Sequence, residues 1–274
     1  MRRATGPAAP SGRKRLRTCP GQDSALAKES ATTIEWSDNP DEGRARRLAI
    51  APQRGWTEQS DQGNLLGDLR FRALVRDDEW ALLPLAIRRR FTQRLAAGNT
   101  IVFSGQVVAT SLTRRGWWWA QAARLIGGPL PTGTDAQVPS VVTVTEDMAK
   151  DGQIWTRLYA RRSGFPQVIH SSKRFAGPTG LEEYVGYGIS MSLTVHVHAG
   201  ALVFRSYDYY LQIFGRRLRL PRWLTPGTLS VTHAELGDGW FGYTLDIRHE
   251  RFGTLIHQSA SFRETEQWIP PCSA

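Results

Sequence analysis

Cysteine is nearly absent from the chain: Cys19 and Cys272, one near each end, are the two in 274 residues. Such a pair supplies neither a disulfide framework nor a cysteine-rich metal site, and a reducing, cytoplasmic setting is expected. Lysine is scarce as well. Lys14, Lys28, Lys150 and Lys173 are the four among 35 basic residues, so arginine carries the net charge of +10. That excess is spread out: residues 1–60 hold 11 basic and 7 acidic residues (+4), the remainder 24 and 18 (+6). Only Arg13-Lys14-Arg15-Leu16-Arg17 is dense, and it reads as a solvated tail rather than a nucleic-acid arm. Uninterrupted apolar runs of the roughly 18 residues that a spanning helix needs are missing, and Thr18-Cys19-Pro20 stands where a signal peptide would turn apolar. Also missing are a Gly-x-Gly-x-x-Gly loop that opens a helix after a strand and a Gly-x-Ser-x-Gly elbow, which removes the signatures of a dinucleotide fold and of an α/β-hydrolase. No cofactor is expected.

Aromatic residues are thin at the start, where residues 1–60 hold only Trp36 and Trp56. A disordered basic tail is expected over 1–60, one β-rich domain over 61–265 and a short disordered tail over 266–274. Leu65, Leu66, Leu69, Leu74 and Val75 recur at helical spacing, and Leu82, Leu83, Ile87, Phe91 and Leu95 form a second stripe that Gly98 stops. From Thr100 the pattern becomes extended through Leu112, and Arg114, Arg115 and Gly116 are expected to end that strand. A helical interlude over Trp117–Ile126 closes at Gly127-Gly128-Pro129.

Strands are then expected near 140–146, 153–161, 167–175, 181–186, 189–198, 202–220 with a break at Gly215, 228–236, 240–249 and 254–263. The connectors, among them Lys150-Asp151-Gly152, Ala199-Gly200 and Gly237-Asp238-Gly239, are short and contain glycine. A parallel pair needs a crossover of about a dozen residues, so such connectors force antiparallel neighbours. The expected fold is a mainly β, α+β domain: a curved antiparallel meander or β-barrel, with N-terminal helices and one inserted helix covering an opening. A two-layer sandwich is the alternative.

The stretch Leu218-Arg-Leu-Pro-Arg-Trp-Leu-Thr-Pro-Gly227, with Asp238-Gly-Trp-Phe241 and His249-Glu-Arg-Phe-Gly253, resembles the bacterial family known as domain of unknown function 4166. Phe103-Ser-Gly105, Leu125-Ile-Gly-Gly-Pro-Leu-Pro131, Trp155-Thr-Arg157 and Lys173-Arg-Phe175 carry the likeness further, over about residues 65–263. Glu250 departs from it, since the family pattern more often has proline after the histidine. These are turn and packing signatures and imply a domain rather than a reaction. Members fused behind saccharopine-dehydrogenase-like oxidoreductase domains imply an accessory role beside a separate oxidoreductase as one reading.

Four constellations bear on chemistry. In Ile189–His198, His196 and His198 share one strand face, and His233 and Glu235 form a like pair on another strand; together they would make a metal site if the faces converge. His170 beside Ser171, and His257 near Ser259, lack the surroundings of a nucleophile. Trp117-Trp118-Trp119 after Arg114-Arg115 either lies on a membrane surface as a peripheral contact or packs over a barrel mouth. Strict alternation puts Arg205, Tyr207 and Tyr209 on one face of a strand with no clearly apolar side. That face is expected to orient an anionic or carbonyl-bearing ligand against apolar walls from Met191 and Leu193. The leading expectation is a non-catalytic domain that binds a small molecule or lipid. An enzyme or accessory subunit, metal-dependent through the histidines, and a partner-docking module are the alternatives.

Overall fold

Short connectors shape the fold because their residues reach the left-handed region. Tyr187-Gly188, Ala199-Gly200 and Phe214-Gly215 have φ of +50 and +79°, +47 and +73°, and +48 and +72°, the two successive positive values that a type I′ hairpin turn demands. The computed structural model describes residues 67–93, 95 and 100–265. The expected tails over 1–60 and 266–274, and Leu65, Leu66 and Gly98, lie outside the described residues.

The strands are β1 (Thr100–Leu112), β2 (Val138–Asp147), β3 (Gly152–Tyr159), β4 (Gln167–Arg174), β5 (Glu182–Gly186), β6 (Ile189–His198), β7 (Ala201–Ile213), β8 (Arg216–Arg219), β9 (Thr228–Gly237), β10 (Trp240–His249) and β11 (Gly253–Glu264). Each pairs antiparallel with its successor up to β8. The long β7 is shared, its second half pairing β8 over Tyr210–Ile213 and its first half pairing β9 over Leu202–Arg205. β9 to β11 continue the meander, and β11 returns to β1. Ten strands therefore close a barrel, with β8 as an extra ribbon on β7. Closure removes the edges that an open sheet or a sandwich leaves unpaired.

Among the described residues three α-helices flank the barrel: α1 (Asp77–Ala81), α2 (Leu85–Thr92) and α3 (Arg114–Ala123). The helix expected over Leu65–Val75 is instead a single 3-10 turn at Arg72–Leu74, because Val75 takes an extended backbone before α1 begins. Arg114, Arg115 and Gly116 do not simply end β1. They open α3, whose first turn is capped by the Thr113 hydroxyl accepting from the Gly116 N–H at 3.1 Å. Glycine is required there, since a Cβ on Gly116 would sit 2.0 Å from the Leu255 carbonyl oxygen of β11. The missing side chain lets α3 lie directly on the barrel wall.

α2 leads into β1 and α3 follows it, so the two helical segments occupy opposite ends of the barrel. The α2 end is plugged. Phe71, Trp80, Leu83, Ile87 and Phe91 are buried, and the Phe71 ring packs edge-on against Phe91, Phe175 and Phe204 at 5.4, 4.8 and 6.0 Å. Arg90 lies 3.8 Å over the Phe241 ring and 3.7 Å from Glu235. Aromatic pairs of this kind each add about 0.5–1.5 kcal/mol beyond their area burial.

Candidate functional site

The inward rows of β3, β4 and β5 are not apolar throughout. Alternation along β3 sends Trp155, Arg157 and Tyr159 inside; along β4 it sends Ile169, Ser171 and Lys173, and along β5 Glu183 and Val185. Cross-strand register puts Lys173 opposite Glu183. The result is a buried triad. Lys173 Nζ is 3.3 Å from Glu183 Oε2, Arg157 Nη2 is 3.5 Å from Oε1, and Arg157 Nη1 donates to Ser171 Oγ at 3.1 Å. Lys173 also sits 5.0 Å from the Trp155 ring and 5.6 Å from that of Phe204.

Two cations share one carboxylate, and the titrations follow from that imbalance. Burial pushes Glu183 up, but Lys173 and Arg157 outweigh it and hold the carboxyl at about 2. Burial lowers Lys173, with Glu183 opposing. His233 on β9 is pushed well below its usual value by burial first and then by the positive field of Arg90, Lys173 and Arg157. Burial raises the phenols of Tyr159, Tyr209 and Tyr243, Tyr209 to about 12. The phenols therefore remain protonated donors near neutral pH.

Between this triad and α3 the barrel is hollow. A cavity of about 210 Å³ is walled mainly by apolar side chains, among them Met191, Leu229, Val231 and Leu245, and it is roofed by Trp119 and Ile126 of the α3 segment. Arg157, Ser171, Glu183, Tyr159, Tyr209 and Tyr243 supply its polar positions. Arg157, Tyr159 and Tyr243 also line a void of about 10 Å³ beside His233, which marks them as the deep end. Ala122 and Leu224, both lining the cavity and both exposed, mark the mouth.

Of the ligand-facing residues expected from the sequence, Tyr209 and Met191 line this cavity and Leu193 is fully buried in the core beside it. Arg205 and Tyr207 are not part of its lining, and Tyr207 is 54% exposed. The expectation that Arg205, Tyr207 and Tyr209 share a face fails because β7 carries a bulge. Leu193 pairs with Ser206 but Met191 pairs with Tyr209, so one extra residue enters β7 and reverses its phase. The Ser192 hydroxyl satisfies the bulge, accepting from the Asp208 N–H at 3.2 Å. Past it Tyr209 turns inward, and its hydroxyl donates to the Gly227 carbonyl at 3.0 Å.

The expected metal quartet is split by the barrel wall. His233 pairs across with Leu202, an interior position, whereas His196 pairs with Val203 one residue on, so His196 and His198 are on the outer phase and His233 and Glu235 on the inner one. Among the described residues no group of three or more His, Cys, Asp and Glu is placed to hold a metal ion. His170 faces outward and bonds Thr156 at 3.0 Å, and His257 Nδ1 lies 2.8 Å from Asp246. The tryptophan run divides: Trp119 lines the cavity, while Trp117 and Trp118 are exposed and meet edge-on at 5.0 Å.

Sequence reasoning missed Arg157, Lys173 and Glu183. A signal for the first was present, since β-alternation places Arg157 on the same phase as Trp155 and Tyr159, an arginine between two core aromatics. Comparison with known proteins returns no match among curated proteins and none among solved structures. The model of one family does match, over residues 83–262 and therefore over most of the chain and all but the last two residues of the barrel. The protein belongs to that family, described as domain of unknown function DUF4166.

Proposed function

We propose that this domain is a binding protein for a small, mainly apolar molecule held in the barrel beneath α3. The observation that carries the reading is the contrast between the two halves of one interior. The α2 half is packed with interlocking aromatic rings, whereas the α3 half encloses about 210 Å³. Protein interiors are close-packed. Kept dry and empty, a void of this size costs roughly 5 kcal/mol at the coefficient measured for engineered cavities, which rivals the net stability of a domain. An occupant removes that cost.

The buried triad supports the same reading. Well-packed apolar side chains of similar volume generally stabilise a core at least as well as buried ions do. The charged group facing the cavity is thus accounted for by recognition rather than by stability.

The mouth offers a direct test. Ala122 is exposed and lines the opening, so Ala122→Trp blocks entry without disturbing the core. Titration of the purified protein with 1-octanol by calorimetry is expected to show saturable one-to-one binding that Ala122→Trp weakens by roughly tenfold or more, the size of one lost apolar side-chain contact. Equal binding by the two proteins would place the site elsewhere.

A further inference from the structure

We infer that the occupant is a monoanionic amphiphile, a carboxylate with a short apolar tail, whose head group meets Arg157 at the closed end of the cavity while its tail points to the mouth at Ala122 and Leu224. The inference rests on the cavity being a binding site and adds the chemical class of what it takes.

Charge is the first ground. Arg157, Lys173 and Glu183 are all nine-tenths buried or more, and together they carry one positive charge in excess. An uncompensated ion in low dielectric is expensive, and one carboxylate cancels it. A phosphate dianion would leave the opposite imbalance, and an amine would increase the excess.

Hydrogen bonding is the second. Arg157 is hydrogen-bonded to Ser171 and Glu183 through its two terminal nitrogens, but its buried Nε has no acceptor. The guanidinium therefore lines the chamber with its hydrogen-bonding capacity incompletely used, and a carboxylate oxygen is the acceptor that such a group favours. Tyr159 and Tyr243 line the same end and remain protonated, so their hydroxyls are available to the second oxygen. Glu183 rejects a second anion directly beside it. That repulsion, together with its two bonds to the cations, directs the incoming head group to the Arg157 and tyrosine side.

Size is the third. A cavity of about 150 Å³ accepts benzene, so 210 Å³ holds roughly eight to ten non-hydrogen atoms. Octanoate has this size, and the apolar wall of Met191, Leu229, Val231 and Leu245 suits its chain.

The test compares octanoate, 1-octanol and octylamine by isothermal titration of the full chain near neutral pH. Octanoate is expected to bind about tenfold or more tighter than 1-octanol, as a charge-assisted hydrogen bond requires, and octylamine weakest of the three. In Arg157→Lys, which keeps the charge but loses the planar fork, the octanoate preference should shrink while octanol binding persists. Octanol binding as well as or better than octanoate would overturn the inference and leave the cavity reading intact. Failure of all three to bind would overturn both. The comparison on the unaltered protein stands alone if the variant does not fold.

Discussion

Replacing Glu183 by glutamine is expected to lower the unfolding free energy by about 3–5 kcal/mol, the largest loss from any single polar change in the barrel. Among the described residues the carboxylate is the one anion bonded to Arg157 and Lys173, at 3.5 and 3.3 Å, and all three side chains are buried. Removing it leaves two cations facing each other across the interior with no counter-charge. The same coupling acts on the carboxyl itself, since the two cations overcome burial and hold it at about 2. Urea denaturation followed by tryptophan fluorescence reads the loss as a fall in midpoint. Adding Lys173→Met to Glu183→Gln should recover part of it, because one of the stranded charges is then gone. A loss below about 1 kcal/mol would mean that the triad is solvated and contributes little, as exposed pairs do.

Acidification supplies the second large effect, through His233. Its imidazole is enclosed by aromatic rings, with Phe91 at 5.2 Å, Tyr243 at 5.5 Å and Phe241 at 6.1 Å, and its Nδ1 is buried without a partner. Burial and the surrounding cations hold its folded pKa well below 6.5. Below pH 6.5 the unfolded chain takes up a proton that the native barrel excludes, so the unfolded state is favoured as pH falls. The slope is about 1.4 kcal/mol per pH unit until the folded pKa is reached. Glu183 acts with the same sign but lower, since its stabilisation is complete above 4.5 and is lost as pH falls toward about 2.

The window between about pH 7 and pH 5 therefore isolates the histidine. In His233→Phe the slope in this window should flatten, and the stability of the variant relative to the parent should rise by about 2 kcal/mol across it. Phenylalanine suits the aromatic surroundings and removes the unbonded ring nitrogen, so the variant is expected to fold. Parallel pH profiles for the two proteins would show that His233 titrates normally.

Much of the wall was legible from spacing. β6 and β10 have the bounds that alternation and glycine placement predict, Ile189–His198 and Trp240–His249, because strand length and turn chemistry are both local. Antiparallel pairing follows from the same short connectors. Ring closure does not, since it depends on β11 meeting β1 across more than 140 residues of chain, and pattern alone left a sandwich open.

The site was legible in part, and the reasons for the misses are physical. Tyr209 and Met191 both reach the cavity lining, the first from the mixed-polarity β7 and the second from the apolar face of β6, but the bulge before Tyr209 has no glycine to announce it, so Arg205 and Tyr207 were carried to the wrong face. The triad was missed because Lys173 and Glu183 meet through the register of β4 on β5. Register is fixed by the closed barrel and not by the spacing between the two residues. The expected tetrad of His196, His198, His233 and Glu235 fails for the same kind of reason, as spacing within each strand says nothing about which phase faces inward.

The central claim is that the barrel is hollow beneath α3 and solid beneath α2. Xenon pressurisation of crystals of the ligand-free protein tests it most directly, because xenon enters apolar voids and not packed cores. Ordered xenon is expected between Met191, Leu229 and Leu245, with none among Phe71, Phe91 and Phe204. A structure in which Trp119 and Tyr209 fold inward to fill the space, with no xenon bound, would contradict it.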